Sequence, residues 1–161
     1  MTDNPTPKKT KKPSLTEKRR AARSFALQAL YQWQMSGNSV TDIELQFRID
    51  NDMSGADIPL FSELLHGVPA HAGDLDASFE PFLDRALTDL DPIELAVLRI
   101  GSFELAHRIV VPYKVVINES VELAKTFGAT ESHRYVNGIL DKLAARVRMT
   151  EINAKRGAKK S

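Results

Sequence analysis

Cysteine is absent from this 161-residue chain, which excludes disulfides, thiolate metal sites and thiol nucleophiles and suits a reducing compartment. Also missing is any run approaching the roughly 18–20 apolar residues that a membrane span requires, and the lysine-rich start has no apolar segment like that of a signal peptide. A cytoplasmic location without a membrane partner is the expectation. The eight glycines are spaced neither as GxGxxG nor as GxxxxGK[ST], so no dinucleotide fingerprint or P-loop is present. No serine sits in a GxSxG elbow and no HExxH occurs. His66 and His71 are five positions apart, not the three or four that place two imidazoles on one helical face. Asp74-Leu75-Asp76 and Asp89-Leu90-Asp91 look like DxD metal motifs, but each flanks a helix start, where carboxylates serve as caps. Neither an enzyme, nor a cofactor, nor a metal is expected.

What is present is an ordinary globular composition, 42% hydrophobic and 27% charged, in a chain long enough for one domain with a real core. The formal charge of +1 hides a segregation. Residues 1–23 carry eight basic against two acidic residues, net +6, and residues 142–161 carry seven against one, again +6, leaving −11 for the body between them. Basic ends point to a polyanion and an acidic body to a basic protein partner.

The pattern is helical throughout, and no segment alternates as a strand does; Ile109-Val110-Val111 before Pro112 reads as a linker. Residues 1–13, rich in Pro, Thr and Lys, are expected to be disordered. Ser14-Leu15-Thr16-Glu17 reads as a capping box opening a first helix, with Ala22, Ala26, Ala29, Leu30 and Trp33 on one face and a stop at Ser36-Gly37-Asn38. A short helix over about 41–49 follows. Asp57 caps the next, whose Leu60, Phe61, Leu64 and Leu65 face inward; Gly67, Pro69 and Gly73 interrupt it before Leu75, Phe79, Phe82 and Leu83 resume the helical spacing. Asp91-Pro92-Ile93-Glu94 starts a central helix that is apolar nearly all round. Residues 114–127 form another, with Gly128 as a left-handed C-cap, and Thr130 caps a last helix carrying Val136, Ile139, Leu140, Leu143 and Val147. The domain is thus read as all-α over 14–149, a compact bundle of about seven helices, with 150–161 a disordered basic tail.

Nucleic-acid binding has positive support. Lys18, Arg19, Arg20 and Arg23 lie on the first turns of the first helix, where cations oppose the helix dipole and an anion would satisfy them. Phe127 to Tyr135 places two aromatics, Arg134 and a helix start together, the parts from which single-stranded RNA sites are built; packing of both rings at the helix junction is the alternative. Trp33 belongs with the core stripe and Tyr31 lies off it.

Several blocks resemble one bacterial family, the NusB transcription antitermination factors. They are Arg19-Arg20-Ala21-Ala22-Arg23 before Ala29-Leu30-Tyr31-Gln32-Trp33-Gln34, Ala96-Val97-Leu98-Arg99-Ile100, Val111-Pro112-Tyr113-Lys114-Val115, Ile117-Asn118-Glu119, Glu122-Leu123-Ala124-Lys125, Phe127-Gly128, and Val136-Asn137-Gly138-Ile139-Leu140-Asp141-Lys142. The resemblance implies two packed helical subdomains and binding of boxA-type RNA with ribosomal protein NusE in RNA polymerase antitermination complexes, notably on ribosomal RNA. Carried onto this sequence, the RNA surface would include Arg19, Arg20, Arg23, Lys114, Phe127, Glu131, Arg134 and Tyr135. The NusE surface would include Phe82, Arg85 and Glu94. The lysine-rich arm before the first helix is longer than the resemblance leads one to expect. Two other readings compete: a domain related to those of ribosomal RNA cytosine methyltransferases, against which length counts, and a protein–protein adaptor without RNA, against which the basic first helix counts.

Overall fold

The computed structural model describes residues 12–160, with side chains to residue 157. The expectation for residues 1–13 falls almost wholly outside them. Among the described residues there are eight α-helices, two short 3-10 turns and no strand, and no helix is long and apolar enough to cross a membrane.

Helix α1 (Leu15–Ser36) starts where Ser14 Oγ accepts the Glu17 N–H at 3.1 Å, and ends at Gly37, whose φ of 69° is left-handed as a C-cap glycine requires. Helix α2 (Val40–Asp50) is capped by Ser39 and α3 (Ile58–Ala70) by Asp57. Pro69 falls in the last turn of α3, and α4 (Ala72–Phe79) follows after a single residue. There the expected helical spacing fails. Phe82 closes a 3-10 turn, Glu80–Phe82, and Leu83 is extended, because Pro81 has no N–H to continue an α-helical ladder. A second 3-10 turn, Leu87–Asp89, leads to α5 (Pro92–His107), where Asp91 accepts N–H bonds from Ile93 and Glu94 at 2.8 and 3.3 Å.

Helix α5 is the centre of the bundle. Ala96 to Leu98 and Ile100 to Leu105 are buried, with only Arg99 between them partly exposed, and α1, α3, α4, α6 (Tyr113–Phe127) and α7 (Ser132–Val147) all pack on it. Helices α1, α2 and α3 form one packed group and α5, α6 and α7 another, sharing a continuous core. Close approach at the crossing requires Gly101, where an added Cβ would stand 2.8 Å from Leu140 Cδ1 and 2.9 Å from Ser120 Oγ.

Three local expectations are corrected. Gly128 is not left-handed: its φ is −89°, and its smallness serves packing, since a Cβ would lie 2.7 Å from the Ala124 carbonyl oxygen. Thr130 does not cap α7; Glu131 occupies that position with φ 73° and no side-chain cap. The basic tail is helical, α8 (Met149–Lys160). Its anchor is Arg148, buried at 4% exposure. The guanidinium donates to the carbonyls of Glu104, Leu105, Arg108 and Val111 at 2.7–3.2 Å and to Glu151 at 2.7 Å. A cation thereby sits at the carbonyl end of α5, where the helix dipole favours it.

Candidate nucleic-acid and partner surfaces

The basic turns of α1 do not present all their cations in the same way. Arg20 projects outward, 59% exposed, with its Nε donating to both Glu119 oxygens at 3.0 and 3.2 Å. Arg19 is 42% exposed beside Asp57, at 4.0 Å. Arg23, by contrast, is buried. Its guanidinium is held against Glu104, and little of the residue reaches the surface. Although three residues apart and on neighbouring positions of one helix face, the two arginines part because Glu104 of α5 holds Arg23 and Glu119 of α6 holds Arg20.

Arg20, Ala21, Arg23 and Ser24 form one wall of a cleft of about 320 Å³, and Glu119, Glu122, Leu123, Thr126 and Phe127 of α6 form the other. Phe127 is half-buried and also lines a second cavity of about 460 Å³ with Leu27, Tyr31, Phe47 and Ile93. It therefore stands between the charged cleft and one that also carries Gln28, Gln46 and Asn51. The carboxylates of the first cleft are engaged: Glu119 holds Arg20, and Lys125 lies 3.5 Å from Glu122. Lys114 is exposed in the first turn of α6, and Glu131 pairs with Arg134 at 2.9 Å on the exposed start of α7.

Tyr135 belongs to another neighbourhood. Its hydroxyl accepts the Asp84 N–H at 3.2 Å, and the Arg85 guanidinium lies over its ring at 4.4 Å. Assigned to RNA by resemblance, Tyr135 touches Arg85, which the resemblance assigned to the protein partner. Arg85 donates to Asp84 at 2.7 Å, which raises the guanidinium pKa, and the Glu94 charge adds to that effect. The same bond, followed by that from Tyr135, holds the Asp84 carboxyl below its ordinary range. Glu94 Oε2 accepts the Ser132 hydroxyl at 2.7 Å, joining the first turns of α5 and α7. Arg146 lies over Phe82 at 5.0 Å. Sequence reading missed Arg146, although it falls eleven positions after Tyr135, three helical turns along the same face of α7.

Several residues that could have suggested other chemistry have structural partners. His66 meets Glu44 at 2.9 Å, and His71 stacks on His107 at 4.5 Å. Asp76 pairs with Arg99 at 2.7 Å and Asp91 caps α5. Among the described residues no group of three or more His, Cys, Asp or Glu could hold a metal ion. Trp33 is partly buried against the core with Arg99 5.7 Å from its ring centre, and Tyr31 is exposed.

Comparison with known proteins agrees with this architecture. The model of the NusB family matches residues 20–145. A transcription antitermination protein NusB of Marinomonas sp. (strain MWYL1) is 63% identical over 159 residues, covering 97% of this chain and 91% of that protein. Its counterpart in Hahella chejuensis is 56% identical over 144 residues, covering 89% and 97%. The solved structure of T. maritima NusB superposes with a TM-score of 0.67 at 28% identity, over 78% of this chain and 89% of that one. With the all-helical bundle centred on α5 and a family match spanning α1 to α7, the chain belongs to the NusB family of transcription antitermination proteins, which are not enzymes.

Proposed function

We propose that this antitermination factor acts in the cytoplasm by binding a boxA-type RNA together with ribosomal protein NusE, in complexes that carry RNA polymerase through terminators, chiefly on ribosomal RNA. The observation that carries the RNA part is the α1/α6 cleft, where the exposed Arg20 guanidinium and the Phe127 ring line one space. A phosphate can exchange for Glu119 on Arg20 while a base stacks on the ring. Arg19, Lys114 and Arg134 add exposed charge around this line, and Glu131 orients Arg134. Arg23 supports the surface from beneath.

The protein-partner part is supported by the contacts of Arg85 with Tyr135, of Phe82 with Arg146, and by the Glu94 charge near Arg85. An acidic body offers a basic ribosomal protein a complementary field.

The test is a titration of boxA-type RNA at several salt concentrations. Parent protein should bind with a steep salt dependence, because cations displace counterions from phosphates. Arg20→Ala should weaken binding and flatten that dependence. Binding unaffected by Arg20→Ala, or no RNA binding at all, would overturn the RNA reading and leave an adaptor.

A further inference from the structure

The two basic ends of the chain, separate in sequence, both come against the first turn of α6. From one side Thr16 and Arg19 of α1 share a cavity of about 430 Å³ with Pro112 and Val115, and Arg20 reaches Glu119 one turn further on. From the other chain end comes α8. Arg148 fixes its start against the end of α5, Glu151 Oε1 accepts the Tyr113 N–H at 3.2 Å, and Lys155 Nζ lies 5.3 Å from the Tyr113 ring centre. Between these contacts Lys114 is exposed, and so are Lys155 and Arg156.

The acidic groups near this end are already committed. Glu151 is held by Arg148 and by the Tyr113 N–H, Glu119 by Arg20, and Asp57 lies beside Arg19. Lys114 on α6 is left as an exposed charge, as are Lys155 and Arg156 on α8, a helix that is docked rather than trailing. Docking removes in advance the chain entropy that a loose lysine tail would lose on binding.

We propose that α8 and the first turn of α6 form a second anchor for the RNA, taking backbone phosphates beyond the α1/α6 cleft through Lys114, Lys155 and Arg156. Phosphates are the chemistry recognised, because the one aromatic ring at the site, Tyr113, is already covered by Lys155. The contact is therefore independent of sequence. It rests on the RNA reading above and extends the bound strand past the site that reading uses.

The experiment uses the full chain and two RNAs, a short boxA-type oligonucleotide that only fills the cleft and one extended at both ends by unstructured nucleotides. Affinities are measured by fluorescence anisotropy over a range of salt. Lys155→Ala/Arg156→Ala should bind the extended RNA severalfold more weakly and the short RNA as the parent does. Its salt slope on the extended RNA should fall by about 1.4, the value for two phosphates lost from a single strand. Arg48→Ala, on α2, which packs on α1 and α3, removes one unit of charge elsewhere and should change neither affinity. Parent-like binding of both RNAs by the double variant, with Arg20→Ala still impaired, would overturn the α8 anchor and leave the cleft reading standing. An equal loss per charge from Arg48→Ala would also overturn it, reducing the effect to net charge. A double variant impaired only toward a protein partner would do the same. Failure of Arg20→Ala to weaken either RNA would take down the cleft reading beneath it.

Discussion

Arg23 donates through Nε to both carboxylate oxygens of Glu104, at 3.0 and 3.1 Å, with side chains 4% and 1% exposed. Arg108 approaches the same carboxylate at 3.7 Å. This buried pair ties α1 to α5, and burial pushes the Glu104 carboxyl above its ordinary value of 4.5 against the pull of Arg23 and Arg108. Breaking such a pair by removing one partner costs about 3–5 kcal/mol, because the other charge is stranded. Arg23→Ala is therefore expected to lower stability sharply and Arg20→Ala hardly at all, as read by urea unfolding. The sign with pH follows from the raised value: a carboxyl that binds its proton more tightly when folded favours the native state at low pH, and that favour is lost as pH rises through the folded value. The deficit of Arg23→Ala should thus be larger at pH 8 than near pH 4.5. A deficit independent of pH would show that Glu104 finds another cation.

Tyr135 ties α7 to the segment between the two 3-10 turns through one hydroxyl bond and one cation–π contact. Tyr135→Phe keeps the ring under Arg85 and removes the hydroxyl that accepts the Asp84 N–H and favours the charged Asp84 carboxylate. The expected loss is about 0.5–1.5 kcal/mol, with faster amide exchange at Asp84. RNA affinity in the absence of NusE should stay near that of the parent, and NusE binding should weaken. A variant that loses RNA affinity while NusE binding holds would return Tyr135 to the RNA surface.

Gly101 stands where α5 meets α6 and α7. An alanine there forces Leu140 and Ser120 to move, and both are buried. Gly101→Ala should cost about 1–3 kcal/mol by overpacking. The checkable consequence is a fall in thermal midpoint without loss of helical circular dichroism at low temperature.

Glu151 gives the docking of α8 a pH dependence. Desolvation pushes its carboxyl up, but the Arg148 guanidinium and the Tyr113 N–H outweigh this and hold it below its ordinary value of 4.5. A depressed carboxyl stabilises the fold above its unfolded pKa, and the contribution is lost as pH falls through the folded value. Below pH 4.5 the Tyr113 amide signal should therefore move toward that of an undocked helix. Glu151→Gln should abolish the shift; its persistence would assign the acid transition to another group.

The elements whose ends are fixed by a local side-chain bond were legible in the sequence: Ser14, Asp57 and Asp91 each cap the helix they announce. Where tertiary contacts decide, local reading failed. Gly128 is small to clear Ala124, not to turn left-handed, and α8 is helical because Arg148 locks its start to α5. The candidate site divides in the same way. Arg19, Arg20 and Arg23 share one motif, but which of them faces solvent depends on where α5 lies, and Glu104 is 81 positions from Arg23. Likewise Tyr135 is near Phe127 in sequence, whereas its bonds run to Asp84 and Arg85.

Glu94 tests the proposed NusE surface most directly. Its Oε2 accepts the Ser132 hydroxyl at 2.7 Å, while Asp91 caps α5. The side chain thus has a structural bond and an outward charge, and the substitution must separate them. Glu94→Gln keeps an oxygen for Ser132 and removes the charge. Glu94→Lys removes the acceptor, reverses the charge beside Arg85 and places a cation in the first turn of α5, against the helix dipole. The lysine variant should accordingly be less stable by roughly 1 kcal/mol, and the glutamine variant nearly as stable as the parent. If Glu94 meets a basic partner, Glu94→Gln should weaken NusE binding modestly and Glu94→Lys far more, with RNA binding to the isolated protein unchanged. RNA affinity of the two-protein mixture should then fall for the lysine variant, since the second protein no longer adds its contacts. Calorimetry at moderate salt, below the unfolding range of the lysine variant, gives the decisive comparison. Parent-like NusE affinity in folded Glu94→Lys would leave Glu94 as a strut between α5 and α7 and move the partner surface elsewhere on the acidic body.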